Sequence, residues 1–254
     1  VAGGNAFVFD VDPQRTRWDL DFAIFGVPVR VHPFFWLVGL LLGARAGDPA
    51  ELIAWMIAFF VAILVHELGH AAAMRAYGFH PAITLYGLGG LTSYGGGAFL
   101  RPPRGLPHIV ISAAGPAAGF AFAAILAMVI ALAGFEMVIR VGLPFGVRIA
   151  VVEAVGSLAF SHLINDLFFI TLFWGLVNLL PIYPLDGGQI AREVLVAIQP
   201  HEGTRWSLML SFVTATLMAV VAFVQWQSLF GAILFGYLAY VSYATLTFHG
   251  GPRW

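Results

Sequence analysis

The chain has 254 residues, 60% of them hydrophobic and only 10% charged, with a mean hydropathy of +0.90, where soluble domains carry about 25% charged residues. A formal net charge of −1 supplies no field for nucleic acid, and without cysteine there can be no disulfide framework and no thiolate metal site. Any metal must therefore be held by His, Asp or Glu.

These bounds predict an α-helical polytopic membrane protein, a single domain over residues 1–254. Residues 1–21 are mixed in charge and lack the apolar core of a cleavable signal. Residues 22–32, FAIFGVPVRVH, alternate apolar and polar around Gly26 and read as a strand or hairpin at the membrane face. A short apolar run at 33–46, extendable backwards, is the first candidate span, and 52–74 is the second. Residues 82–97, AITLYGLGGLTSYGGG, show β-favouring runs split by glycine pairs. Further spans fall at 106–135, 163–180, 208–224 and 229–246, with an ambiguous apolar run at 147–160. A crossing needs about 20 apolar residues, so the expectation is about six transmembrane helices with a small membrane-associated β-sheet. An exposed sheet cannot sit in lipid, so the strands must lie at the surface or against the bundle. With six spans only Arg45, Arg140 and Arg148 fall opposite the N-terminus, and the positive-inside rule then makes both termini cytoplasmic.

The second span carries AILVHELGHAAAMRAYG, residues 62–78, with three ionisable groups at membrane depth. A charge at the bilayer centre costs roughly 2.5–3.5 kcal/mol on insertion scales, which makes such a group a functional hypothesis by default. On a helix, His66 and His70 are about 40° apart in projection and about 6 Å apart along the axis, so both imidazoles can reach one ion. Glu67 is displaced by about 100°, where it reaches a bound water rather than the metal; two His ligands with a Glu base is the zinc-hydrolase pattern. Gly69, Ala71, Ala72 and Ala73 permit the close approach of a neighbouring helix. A catalytic zinc holds three protein ligands and a water, and the acids left at membrane depth are Glu153, Asp166 and Asp186. Asp186 stands out because NLLPIYPLDGG, residues 178–188, breaks a helix with Pro181 and Pro184 and turns at Gly187–Gly188. A helix-capping role for Asp186 is the alternative, and Asp166, four residues after His162, is the rival ligand, though better suited to a polar pair at a helix entrance.

HELGH in an apolar helix, NLLPIYPLDGG in a later one, VRVHPFF, LYGLGGLTSYGGG and ISAAGPAAG together resemble the site-2 protease family of intramembrane zinc metalloproteases, over residues 22–195. The resemblance implies His66, His70 and Asp186 as ligands of one Zn²⁺, Glu67 as catalytic base, and substrates that are themselves transmembrane helices. Two positions depart from the family pattern. Gly119 stands where an Asn is frequent, and Gln189 where an Arg commonly follows the paired glycines. No PDZ or CBS module fits within 254 residues, so regulation of that kind would need a separate protein or an extension removed from this chain.

A helical substrate must unwind locally to expose a carbonyl carbon, and an edge strand from residues 82–97 can hold the extended segment by strand addition. Asn178 is a candidate backbone contact for it, with an interhelical hydrogen bond as the alternative. His32 reads as an interfacial residue before Pro33 rather than a gate. The competing functional class is a zinc transporter or non-proteolytic scaffold, and Glu67 is the residue that separates it from an enzyme.

Overall fold

The structure is a computed structural model and describes residues 13–44, 47–87, 89–94, 103–142, 146–151 and 155–249. The elements in chain order are β1 (Leu20–Ile24), β2 (Val27–Val31), α1 (Pro33–Leu42), α2 (Pro49–Ala76), β3 (Ala82–Tyr86), β4 (Gly89–Ser93), α3 (Leu106–Leu132), β5 (Met137–Gly142), β6 (Gly146–Val151), α4 (Leu158–Asn178), α5 (Asp186–Ile198), α6 (Gly203–Val224) and α7 (Leu229–His249). Among the described residues five helices, α2, α3, α4, α6 and α7, are long and apolar enough to cross a membrane, and the chain is an integral, multi-pass membrane protein. The expected first span is shorter than a crossing requires. Helix α1 has 10 residues and cannot extend backwards, because the preceding residues form β2 and His32 caps the helix by accepting the Phe34 N–H at Nδ1, 3.1 Å away. The ambiguous run at 147–160 divides into β6, which pairs antiparallel with β5, and the start of α4.

The chain divides into two compact units, Val1–Arg101 with Ala114–Gly175, and Pro102–Ala113 with Leu176–Trp254. In the first, both predicted β segments form one four-stranded sheet of order β1-β2-β3-β4; residues 88 and 95–97 of the second segment lie outside the described residues. The β1–β2 hairpin turns at Phe25 and Gly26, with φ of +49° and +73°, and two successive positive φ values suit the right-handed twist of the flanking strands. Strand β2 runs parallel to β3, and β3 antiparallel to β4. Val27, Val29, Val31, Ile83 and Leu85 alternate onto the sheet face that packs against Ala58, Phe59, Ala62 and Ile63 of α2, the period of two meeting the period of 3.6. Two arginines are fixed here. Arg30 is buried and ion-paired with Asp19 at 3.2 Å, and Arg75 donates to the carbonyls of Phe25 and Gly26.

In the second unit, α6 packs on α7, and the two helices bury small or polar residues, among them Ala215, Ala222, Ala239, Ser242 and Ser211, whose hydroxyl accepts the Tyr183 N–H at 3.0 Å. Small residues let helices approach in lipid, where apolar side chains gain nothing by leaving the solvent. Ser242 donates back to the Leu238 carbonyl at 2.9 Å, satisfying its hydroxyl within the helix.

Candidate metal centre

Helix α2 starts where the sequence tells it to. Asp48 accepts the Glu51 N–H at 2.9 Å as N-cap, and Pro49 occupies the first turn. It runs unbroken for 28 residues, about 42 Å, and buries His66, Glu67 and His70 to 4%, 4% and 8% exposure. The predicted clamp is present. His66 Nε2 and His70 Nε2 lie 3.1 Å apart with their rings nearly perpendicular, close to the separation of about 3.3 Å for two nitrogens bound tetrahedrally to one zinc.

What faces these nitrogens is the backbone of α3. A Cβ on Gly115 would stand 2.3 Å from His70 Nε2 and 2.8 Å from His66 Nε2, so only glycine leaves the space between them open. Gly69 has the matching role on α2, where a Cβ would meet the Ala114 carbonyl oxygen at 2.4 Å and Ala118 Cβ at 2.6 Å. The small residues after His66 thus bring α3 close, as the sequence suggests, and the bare Gly115 keeps a side chain of α3 off the two Nε2 atoms.

Glu67 lies under β4. The Thr92 hydroxyl donates to Glu67 Oε2 at 2.7 Å, with the Glu67 carbonyl a more distant acceptor at 3.3 Å. A Cβ on Gly90 would come within 2.3–2.7 Å of Glu67 Cγ, Cδ and Oε1. Gly90 and Thr92 pair with Leu85 and Ile83, both buried, so the two β4 positions share the sheet face that meets α2.

Asp186 is the first residue of α5. The N-cap is Leu185, with no side-chain cap bond, so α5 is not capped in the way the alternative reading of Asp186 requires. Gly187 and Gly188 are demanded by close backbone approach: added Cβ atoms would lie 2.1 Å from the Leu179 carbonyl oxygen and 2.5 Å from that of Ile182. His66, His70 and Asp186 are residue types able to hold a metal ion, the two imidazoles in the first compact unit and the carboxylate in the second. Imidazole and carboxylate donors with the glycine-lined opening at the two nitrogens fit a zinc ion.

The other candidates fall elsewhere. His162 pairs with Glu51 at 3.1 Å and also interacts electrostatically with Asp166. Neither His162 nor Asp166 belongs to the metal-holding group among the described residues, and Glu153 lies outside them. Asn178 is buried at the end of α4. His32 caps α1 and sets its ring edge-on to Tyr86. His108, to which the sequence reading assigns nothing, pairs with buried Glu193 at 3.1 Å, and Glu193 also accepts the Gly105 N–H at 2.7 Å. Burial pushes the Glu193 carboxyl up, but the bonds from Gly105 and His108 and the nearby Arg192 outweigh it and hold the group below the ordinary range. Gly115, Gly90 and Thr92 escaped the sequence reading. Their signal is spacing: Gly115 stands between small residues at helical intervals, and Gly90 and Thr92 are two apart on a strand.

Comparison with known proteins yields consistent matches. The profile of Peptidase family M50 matches residues 54–221. The Mycobacterium tuberculosis protein Rip3, whose name carries the words zinc metalloprotease, is 32% identical over 170 residues, 64% of this chain and 37% of Rip3. A zinc metalloprotease of Methanocaldococcus jannaschii is 28% identical over 178 residues, covering 68% of this chain and 44% of that protein. The chain thus spans well under half the length of these relatives. The solved structure of a site-2 protease from Methanocaldococcus jannaschii matches with a TM-score of 0.56 at 21% identity, over 90% of this chain and 95% of the other, a likeness of fold.

Proposed function

Because this chain belongs to Peptidase family M50, we propose that it is a zinc-dependent intramembrane metalloendopeptidase that hydrolyses a peptide bond in or near a transmembrane helix of a membrane-protein substrate. The observation that carries the reading is the placement of Glu67 directly after the first of two converging imidazoles, buried in an apolar helix yet given a hydrogen-bond donor. His66, His70 and Asp186 would hold the ion. Zinc held there would lower the pKa of water to about 7 and polarise a carbonyl as a Lewis acid.

The chain's own groups do the rest. Glu67 is the general base: Oε2 is held by Thr92, and Oε1 takes the proton of the attacking water and returns it to the leaving amine. The unwound substrate segment needs partners for its freed N–H and C=O groups, and β4, paired only with β3 among the described residues, offers an edge beside Glu67 for strand addition. Asn178 is a further candidate contact for the substrate backbone. The arginine distribution supports cytoplasmic termini, with the described chain acting as one protease domain in the bilayer.

The test is Glu67→Gln, reconstituted in liposomes with a panel of single-span membrane proteins and compared with the unsubstituted protein. The reading expects zinc to be retained and cleavage abolished. Cleavage at the original rate would reject the mechanism, and zinc flux across sealed vesicles without cleavage would favour a transporter.

A further inference from the structure

We propose that Thr92 is the positioning residue for Glu67, its hydroxyl fixing the carboxylate so that Oε1 faces the reacting water and tying the base to the edge strand β4. The proposal rests on the reading of Glu67 as general base and deepens it.

A glutamate side chain has rotamer freedom among the largest of any residue, and a base acts only from a narrow range of positions, within hydrogen-bond reach of the proton it takes. Helix α2 fixes the Glu67 backbone but not its outer torsions. Those are set from β4. The Thr92 O–H to Oε2 distance of 2.7 Å is in the range of a hydroxyl donating to an ionised carboxylate. With one hydrogen to give, the hydroxyl favours this acceptor over the Glu67 carbonyl at 3.3 Å. Thr92 is well suited to the task because its β-branch restricts χ1 on a strand. Gly90 completes the grip. Its missing side chain leaves the slot that Glu67 Cγ, Cδ and Oε1 fill, all within 2.7 Å of where a Cβ would be. Two residues on one face of one strand therefore specify the carboxylate, one as a donor and one as a gap.

Strand β4 is also the outer strand of its sheet among the described residues. A peptide pairing with that edge stiffens β4, and the stiffening passes through the Thr92 hydroxyl to Glu67. Orientation of the base is then tied to an occupied strand edge, and its loss shows in turnover rather than in affinity.

Thr92→Val removes the hydroxyl while keeping shape and β preference, and Thr92→Ser keeps the hydroxyl. On a single-span substrate that the unsubstituted protein cleaves, Thr92→Val is expected to lower kcat about 10- to 100-fold with KM little changed, a fraction of the 10²–10⁴ that a general base supplies, and Thr92→Ser to restore most of it. A second readout needs no activity. In metal-free protein carrying ¹³C-carboxyl glutamate, the infrared carboxylate band that disappears in Glu67→Gln should shift in Thr92→Val and stay in place in Thr92→Ser. An unchanged kcat in Thr92→Val overturns the proposal whatever the band does, and so does a Thr92→Ser protein as slow as Thr92→Val, because packing of the methyl would then be the cause. Full activity of Glu67→Gln would instead defeat the general-base reading, with the band shift still reporting the Thr92 bond.

Discussion

Adding one methyl group at Gly115 should empty the metal site without unfolding the protein. The Cβ of Gly115→Ala would lie 2.3 Å from His70 Nε2, 2.5 Å from His70 Cε1 and 2.8 Å from His66 Nε2. Comfortable non-bonded approach begins near 3.5 Å, so the His70 ring must retreat by about 1 Å, where a bound zinc tolerates about ±0.2 Å in its ligand distances. Outer partners of zinc ligands are worth 10- to 100-fold in metal affinity, and displacing a ligand outright should cost at least about 100-fold. Against this, alanine improves helix propensity by about 1 kcal/mol and overpacking costs about 1–3 kcal/mol, so the metal-free protein should change little in stability. Zinc affinity measured by competition with a chelator in detergent, beside thermal unfolding of the metal-free protein, separates the two effects. Gly119→Ala is the control, since its Cβ meets only Thr171, at an ordinary 3.4 Å from Cγ2 and 3.9 Å from the carbonyl oxygen, and it should bind zinc normally. A Gly115→Ala protein that binds zinc as tightly as the unsubstituted one would refute the reasoning.

Other outcomes follow from the same geometry. The Glu193 carboxyl is held below the ordinary glutamate value, so its stabilising contribution is complete above that ordinary value and is lost as pH falls through the lower folded value. The unsubstituted protein should therefore lose Tm on acidification below that range more steeply than Glu193→Gln, and parallel curves would contradict the assignment. At neutral pH, Glu193→Ala leaves the Gly105 N–H and His108 without their acceptor, an expected loss of about 1–3 kcal/mol in chemical denaturation. His32→Ala should cost about 1 kcal/mol as a lost N-cap and leave zinc binding and cleavage intact; a folded variant with no cleavage would restore a gating role.

The parts of this fold that follow from periodicity were legible in the sequence. Long apolar helices carry a signal of some 20 residues, and the spans around Leu106–Leu132 and Gly203–Val224 are found near their predicted places. The hairpin at Gly26 and the strands around Gly89–Gly90 were visible because glycine punctuates short alternating runs. Strands β5 and β6 were not, because hydropathy merges Gly146–Val151 with the apolar start of α4 and no single run states its partner. For the site, spacing alone placed His66 and His70 on one face and Glu67 beside it, since i, i+4 geometry is local. Asp186 stands out by chemistry, a carboxylate among prolines and glycines at the end of an apolar span. Gly115, Gly90 and Thr92 were not reached, since what matters about them is a contact made across elements. A glycine that must be bare because of a histidine on another helix looks, in one sequence, like any other small residue.

The most direct measurement of the central claim is the zinc content of the purified protein and of Asp186→Ala after identical dialysis against a chelator, with Glu67→Gln alongside. The account predicts one tightly held zinc per chain in the unsubstituted protein and in Glu67→Gln, and its loss from Asp186→Ala. Zinc retained by Asp186→Ala as tightly as by the unsubstituted protein would contradict it.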